Sequence, residues 1–504
     1  MKLNHWILFI LSAVLYALPF LFPSYWWLIF IFPIPFLYVA LHNTFSFIHG
    51  FVWSLCTFLL HMSGGICVVM HMASKPFYGF CVAISIIILQ AFFAGLLFFW
   101  VIPYVIRVTL FSTALPSSKL RLNFLAALVL NLLKDLSALV SFNKFRTSAY
   151  LNCILPDKLG KSCNSSLTYK LCVDIITLFF FITWMDRYCL CMFDVIEGYP
   201  LMHPLLMLTH HPSLLWLLPI IGKNCLTIFF LLPCATIVLF LIQKNTYSFL
   251  LCCIAYIPWL LSLFINTDTQ IPRWIQRIKP IPYMMINQTT LSNIHIKIAL
   301  QDILNYMQQH NEYDLFVLPE STITINGDIK ECDFTVMRDA HKKHLIFGAS
   351  HIRDKQCYNS WCWVYDGQLQ YCFDKQHAML LSERLPKLLK NDLCHTLFFN
   401  NNKLQTYVNF LERKKINING FGEFVPYICS ELFFLEYPDD EFFDTPILAI
   451  VNDSVFLQYA CSRYICRLLH LLARFKAIQW QRDIIYVSYS QSAFFSKNGM
   501  DVLL

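Results

Sequence analysis

Long, nearly uninterrupted apolar stretches fill the first half of the chain, whereas the second half carries short apolar runs separated by polar turns. A helix that crosses a bilayer needs about 20 mostly apolar residues. Seven stretches are candidates, at 6–21, 25–41, 47–70, 80–106, 171–191, 226–243 and 247–265. An eighth, at 124–140, carries Lys134 and Asp135 near its middle. An ionisable pair at the bilayer centre is expensive, so that stretch is not counted. The first stretch lacks a small-residue cleavage pattern, and the second follows almost at once, which reads as a retained helix rather than a signal peptide.

Beyond residue 265 the pattern changes to alternating elements. The spacing of Ile296, Ile298, Ala299, Ile303, Leu304 and Met307 predicts an amphipathic helix over 294–309. Strands are predicted at 315–318, 345–350, 362–365, 370–373, 424–429, 447–451 and 484–489, with Asp366-Gly367 as a hairpin turn. A long helix is predicted between 450 and 484, with Arg463, Arg467, Arg474 and Lys476 on its polar side. The expected architecture is a multi-span α-helical membrane domain over 1–265, followed by a layered α/β soluble domain over 266–504, of α-β-β-α type.

Charge adds an orientation. The formal net charge is +7, and much of the excess sits in 107–170, which holds Arg107, Lys119, Arg121, Lys134, Lys144, Arg146, Lys158, Lys161 and Lys170. Cytoplasmic loops are enriched in Lys and Arg. With a cytoplasmic N-terminus and seven crossings, that segment lies inside and the C-terminal domain on the extracytoplasmic face. The basic excess then suits anionic lipid head groups. No basic stripe interleaved with aromatics marks the second half, so a nucleic-acid partner is not expected.

Twenty cysteines are spread over both halves without paired CxxC knuckles, so no metal is expected. His203, His210 and His211 cluster without a close carboxylate or thiol and are not read as a metal site either. In an oxidising compartment some cysteines of the second half are free to pair.

Three residues suggest chemistry. Glu320 ends the run Leu315-Phe316-Val317-Leu318-Pro319, Lys375 follows Tyr371-Cys372-Phe373-Asp374, and Cys429 closes Phe424-Val425-Pro426-Tyr427-Ile428. Residues leaving strand ends tend to converge on one rim of a sheet, where sites are usually built. A thiol nucleophile needs a base to take its proton, and an ammonium favours the thiolate and an oxyanion. Singly, each residue also fits a plain structural role.

Together, Pro319-Glu320-Ser321-Thr322, Asp374-Lys375-Gln376-His377 and Cys429-Ser430-Glu431 resemble the Glu-Lys-Cys settings of the nitrilase (carbon-nitrogen hydrolase) superfamily, in the same order. With the apolar N-terminal half, the chain is similar to the apolipoprotein N-acyltransferase family of bacterial inner membranes. The resemblance extends to supporting residues Glu383, Glu431 and Asn452. It implies an acyltransferase, without a cofactor, that moves an acyl chain from a phospholipid through a Cys429 thioester to the N-terminal amine of a diacylglyceryl-modified lipoprotein.

The chain departs from that pattern at Ser430, at Val455 and in Leu380-Leu381-Ser382-Glu383. The family's final transmembrane helix is expected to be absent. A membrane-tethered nitrilase-like amidase and a non-catalytic envelope component on the same fold are the alternative readings.

Overall fold

The computed structural model describes residues 3–42, 47–61, 76–96, 201–265, 270–281, 293–377, 413–434 and 444–504, apart from 202, 341 and 355 and with a few isolated positions besides. Glu383, the basic segment 107–170 and most of the expected 171–191 span lie outside the described residues.

Among the described residues, four helices are long and apolar enough to cross a membrane: Asn4–Leu21, Pro23–Ala40, Gly79–Leu96 and Leu218–Gln243. Phe47–His61 and Thr246–Leu261 are shorter apolar helices. The expected 25–41 helix is broken, a 3₁₀ segment Pro23–Phe30 giving way to an α-helix Pro33–His42. Pro33 has no N–H to continue the earlier ladder and suits a first helical position. The 226–243 helix is preceded by a turn reaching back to Leu218, with the kink at Gly222, whose φ of 76° strains any residue with a Cβ. Lys244 makes the tight turn into the next helix, where Asn245 Oδ1 accepts from Ser248 N at 2.7 Å.

Among the described residues, the second half forms two mixed sheets. In the first, β1 (Ile278–Pro280), β2 (Leu315–Val317) and β4 (His344–Arg353) run parallel. β5 (Gln356–Tyr365) and β6 (Gln368–Asp374) extend that sheet antiparallel, and β3 (Ile323–Ile325) pairs beside β4. Asp366 and Gly367 make the β5–β6 turn with φ of 50° and 69°, the left-handed pair that a two-residue hairpin needs.

The second sheet has the order β12-β11-β10-β9-β8-β7. Its parallel centre is β8 (Gly422–Ile428), β9 (Ile447–Ile450) and β10 (Ile484–Val487). β7 (Ile416–Ile418), β11 (Ala493–Phe495) and β12 (Asp501–Leu503) complete it.

Parallel neighbours need crossovers, and each sheet has a helix in one. Asn293–Gln309 lies between β1 and β2 in the chain and places Leu300, Ile303, Leu304 and Met307 in a core with Phe316, Leu345 and Phe347. Arg463–Trp480 connects β9 to β10. The elements expected beyond residue 265 are thus present among the described residues, in an α/β domain.

The solvated polar side expected for Arg463–Trp480 is confined to its start. Arg463 and Arg467 are exposed, but Arg474 Nε donates to Gly499 O at 2.6 Å. Lys476 is buried, its Nζ 5.0 Å from the Trp480 ring centroid. The helix is enclosed on two sides. His470 meets Phe495 of β11 edge-on at 4.7 Å, and the Tyr464 hydroxyl donates to His61 O in the N-terminal half. One continuous apolar core therefore runs from the first helices through the second sheet.

Candidate active site

The site begins where β2 ends. After Val317 the chain keeps its pairing through Leu318 N to Ile346 O (2.8 Å), then turns at Pro319-Glu320-Ser321. Ser321 has φ 53°. Gly348 of β4 lies directly beneath, and a Cβ there would come within 2.4 Å of Glu320 Cα. Only glycine admits that approach.

Glu320 is 2 % exposed and its carboxylate is closely held. Oε1 accepts from Lys375 Nζ at 2.7 Å and from Asn359 Nδ2 at 2.6 Å, and Oε2 accepts from Asn452 N at 2.9 Å. Lys375, 1 % exposed, follows β6 directly, and its backbone N donates to Asn359 O at 2.8 Å. A buried ion pair is tolerable only when further hydrogen bonds satisfy its remaining atoms. Asn359 and Asn452 supply them here.

Cys429 occupies the turn between β8 and a short helix, Ser430–Phe434, with φ 43° and 8 % exposure. A non-glycine residue in the left-handed region costs of order 1–3 kcal/mol, and such strain gathers at active sites. The turn is fixed to the other two residues by its neighbours. Cys429 N donates to Ile450 O at 2.9 Å, beside the Asn452 that reaches Glu320. Glu431 accepts from Gln376 N at 2.6 Å and Ile428 N at 2.9 Å, and Ser430 Oγ donates to His377 O. The residues after Cys429 are thus fastened to those after Lys375. Arg413, itself buried, places a guanidinium nitrogen 2.9 Å from Glu431 Oε2.

Asn452 contributes its backbone N–H to the site, while its side-chain oxygen accepts from Ser454 Oγ at 2.6 Å. Three participants, Asn359, Arg413 and Tyr489, have no counterpart in the sequence reading. Asn359 and Arg413 carry no local motif. Tyr489 donates its hydroxyl to Glu320 O at 3.0 Å. Its loop is held by Asp453, whose Oδ1 accepts from Tyr489 N at 2.9 Å and from Ser490 N at 3.1 Å. Burial pushes the Asp453 carboxyl up, against the pull of the Ser490 and Ser488 hydrogen bonds. Its position next to Asn452 was the available signal.

The outer face of the first sheet has a second polar cluster. Ser360 Oγ donates to Asp374 Oδ1 at 2.6 Å and lies 2.9 Å from His351 Nε2, and Arg353 pairs with Asp374 Oδ2 at 2.7 Å. His351, Cys372 and Asp374 bring one donor atom each within 4.8 Å. Ser360 and Arg353 already engage the Asp374 oxygens there. Of the histidines near residue 210, His203 caps a 3₁₀ segment, its Nδ1 accepting from Leu205 N at 3.2 Å, and the His211 ring packs 4.4 Å from the Trp26 ring.

No family model matches this sequence, and no curated protein does. Among solved structures, one that is similar is a CN-hydrolase superfamily protein from Xanthomonas campestris with an arsenic adduct in its active site. The two share 16 % identity over 42 % of this chain and 81 % of that one, with a TM-score of 0.29. A glutamine-dependent NAD(+) synthetase from Cytophaga hutchinsonii is similar at 12 % identity and a TM-score of 0.27, over 45 % of this chain and 39 % of that one. Scores this low assign neither fold nor activity. What the sheets and side chains themselves define is an α/β domain with a buried Glu–Lys pair joined by hydrogen bonds to a strained cysteine turn.

Proposed function

We propose that this protein is a nitrilase-like acyltransferase of a bacterial inner membrane, which moves an acyl chain from a phospholipid to the N-terminal amine of a diacylglyceryl-modified lipoprotein. The supporting observation is the buried 2.7 Å Lys375–Glu320 pair, tied through Asn452 and Glu431 to the turn that holds Cys429. Glu320 takes the thiol proton, and the Cys429 thiolate attacks the ester carbonyl carbon. Lys375 stabilises the oxyanion. Collapse expels the lysophospholipid alkoxide, which recovers the proton from Glu320, and leaves a thioester. The lipoprotein amine then attacks that thioester, giving up a proton to Glu320. The amide forms as Cys429 departs and is reprotonated.

In this reading residues 1–265 cross the membrane seven times from a cytoplasmic N-terminus, and 266–504 work on the periplasmic side. Glu383 supports the site, as Glu431 and Asn452 do. The helix Thr246–Leu261 exposes Tyr247, Phe249, Leu250, Ile254, Ile257 and Leu260, which suits a lipid-facing surface. Neither substrate then has to leave the bilayer.

The test is incubation of the purified protein with phosphatidylethanolamine bearing a labelled acyl chain, followed by intact mass measurement. The expected result is an acyl adduct in the wild type, absent from Cys429→Ala and discharged by a diacylglyceryl lipopeptide amine. Discharge by water at the same rate with and without lipopeptide would make it a hydrolase. No adduct at all would overturn the proposal.

A further inference from the structure

On the outer face of the first sheet, Cys362 of β5 and Cys372 of β6 stand directly opposite in the antiparallel ladder, with Sγ atoms 3.4 Å apart. Directly opposed residues in such a ladder have Cα atoms about 4.5–5.5 Å apart. Disulfides span Cα separations of about 4.4–6.8 Å, so the backbone need not open to join these two. The two thiols differ in access: Cys362 is fully buried, whereas Cys372 is part-exposed. We propose that Cys362 and Cys372 are a redox pair that closes to a disulfide by exchange with a small or protein disulfide, Cys372 being the thiol that attacks and Cys362 the one that resolves.

The chemistry balances without a metal or cofactor. The Cys372 thiolate displaces one thiolate from the incoming disulfide, forming a mixed disulfide. Cys362 loses its proton and displaces the second thiolate from Cys372. Two protein thiols and one disulfide become one protein disulfide and two thiols. The surroundings favour this order. Hydrogen bonds from Cys362 and His351 pull the Cys372 thiol below its ordinary range, while burial pushes Cys362 up. Only the thiolate is nucleophilic.

Closure would also bear on the inner face. Cys372 lies three residues before Lys375 and Cys362 three after Asn359, and these are the two side chains that donate to Glu320 Oε1. A bond between the strands fixes the ladder that carries both. The proposal does not depend on acyl transfer, since its readout is the sulfur chemistry alone.

The full chain in detergent, reduced and then exposed to oxidised glutathione, is to be digested after alkylation and mapped by mass. The expected product is a peptide pair linked through Cys362 and Cys372, lighter by two hydrogen atoms than the reduced pair. Cys362→Ser should instead accumulate a glutathione adduct on Cys372. In Cys372→Ser, Cys362 should remain a free thiol. Three results would overturn the proposal: both cysteines of the wild type remaining alkylatable, a persistent glutathione adduct on wild-type Cys372, or one equivalent of retained zinc that keeps both thiols reduced.

Discussion

The two faces of the β5–β6 hairpin use neighbouring residues for opposite purposes. Asn359 and Lys375 point to the inner face and hold Glu320, whereas Ser360 and Asp374, each one position away, point outward and hold His351 and Arg353. Strand geometry requires this division, because successive side chains alternate between faces. The inner network is closed to water, with both members of its ion pair nearly fully buried. The outer one has a way out through Arg353, whose side chain is 20 % exposed. The inner network therefore has no solvent to compensate for a lost partner, and the outer one has some.

The largest expected effect follows from that contrast. Lys375→Met leaves Glu320 charged and buried without its cation. Breaking one side of a buried pair costs about 3–5 kcal/mol. A fall in melting temperature, together with loss of any acyl adduct, is the expected outcome. Adding Glu320→Gln should restore most of the stability and none of the activity. If Lys375→Met melts like the wild type, the inner network is not closed in the way its geometry implies.

Asp374→Ala should cost less, about 1–3 kcal/mol, through the lost bonds to Ser360 and Arg353. It should leave the acyl adduct on Cys429 intact. An adduct lost from Asp374→Ala at a temperature where the variant is folded would show that the two faces are coupled.

How the site could be seen in sequence follows from the same geometry. Glu320, Lys375 and Cys429 each leave a strand or its immediate extension, and an apolar run that stops at a reactive residue is visible locally. Asn359 lies inside a strand, Tyr489 in a loop 169 positions from Glu320, and their roles exist only through pairing across the sheet. The strands that the sequence pattern does not show, Ile278–Pro280, Ile323–Ile325, Ile416–Ile418, Ala493–Phe495 and Asp501–Leu503, have three residues each, too few for alternation to register. The buried course of Arg463–Trp480 was hidden for another reason. Its surroundings include the N-terminal helices, so its own pattern of charged positions does not reveal which side meets water.

A smaller effect separates strain from chemistry at Cys429. Alanine and glycine both remove the thiol, yet only glycine accepts φ 43° without a Cβ penalty. Cys429→Gly should be more stable than Cys429→Ala by about 1 kcal/mol, with both equally unable to form the adduct. Equal melting temperatures would remove the case for stored strain in the turn.

The smallest expected effect concerns His351 and is read through pH. Burial alone lowers its pKa, but the Asp374 and Cys372 hydrogen bonds and charges outweigh it, so the folded-state value lies above the ordinary 6.5. The charged ring is favoured on folding. Its stabilisation is fully present below pH 6.5 and is lost as pH rises through the higher folded-state value. That raised value should appear directly as a His351 ring-proton NMR midpoint above 6.5, a readout separate from the opposing titration of the Cys372 thiol, whose lowered folded-state value adds stability as pH rises. A midpoint below 6.5 would mean that the outer cluster holds a neutral imidazole, and that Arg353 alone balances Asp374.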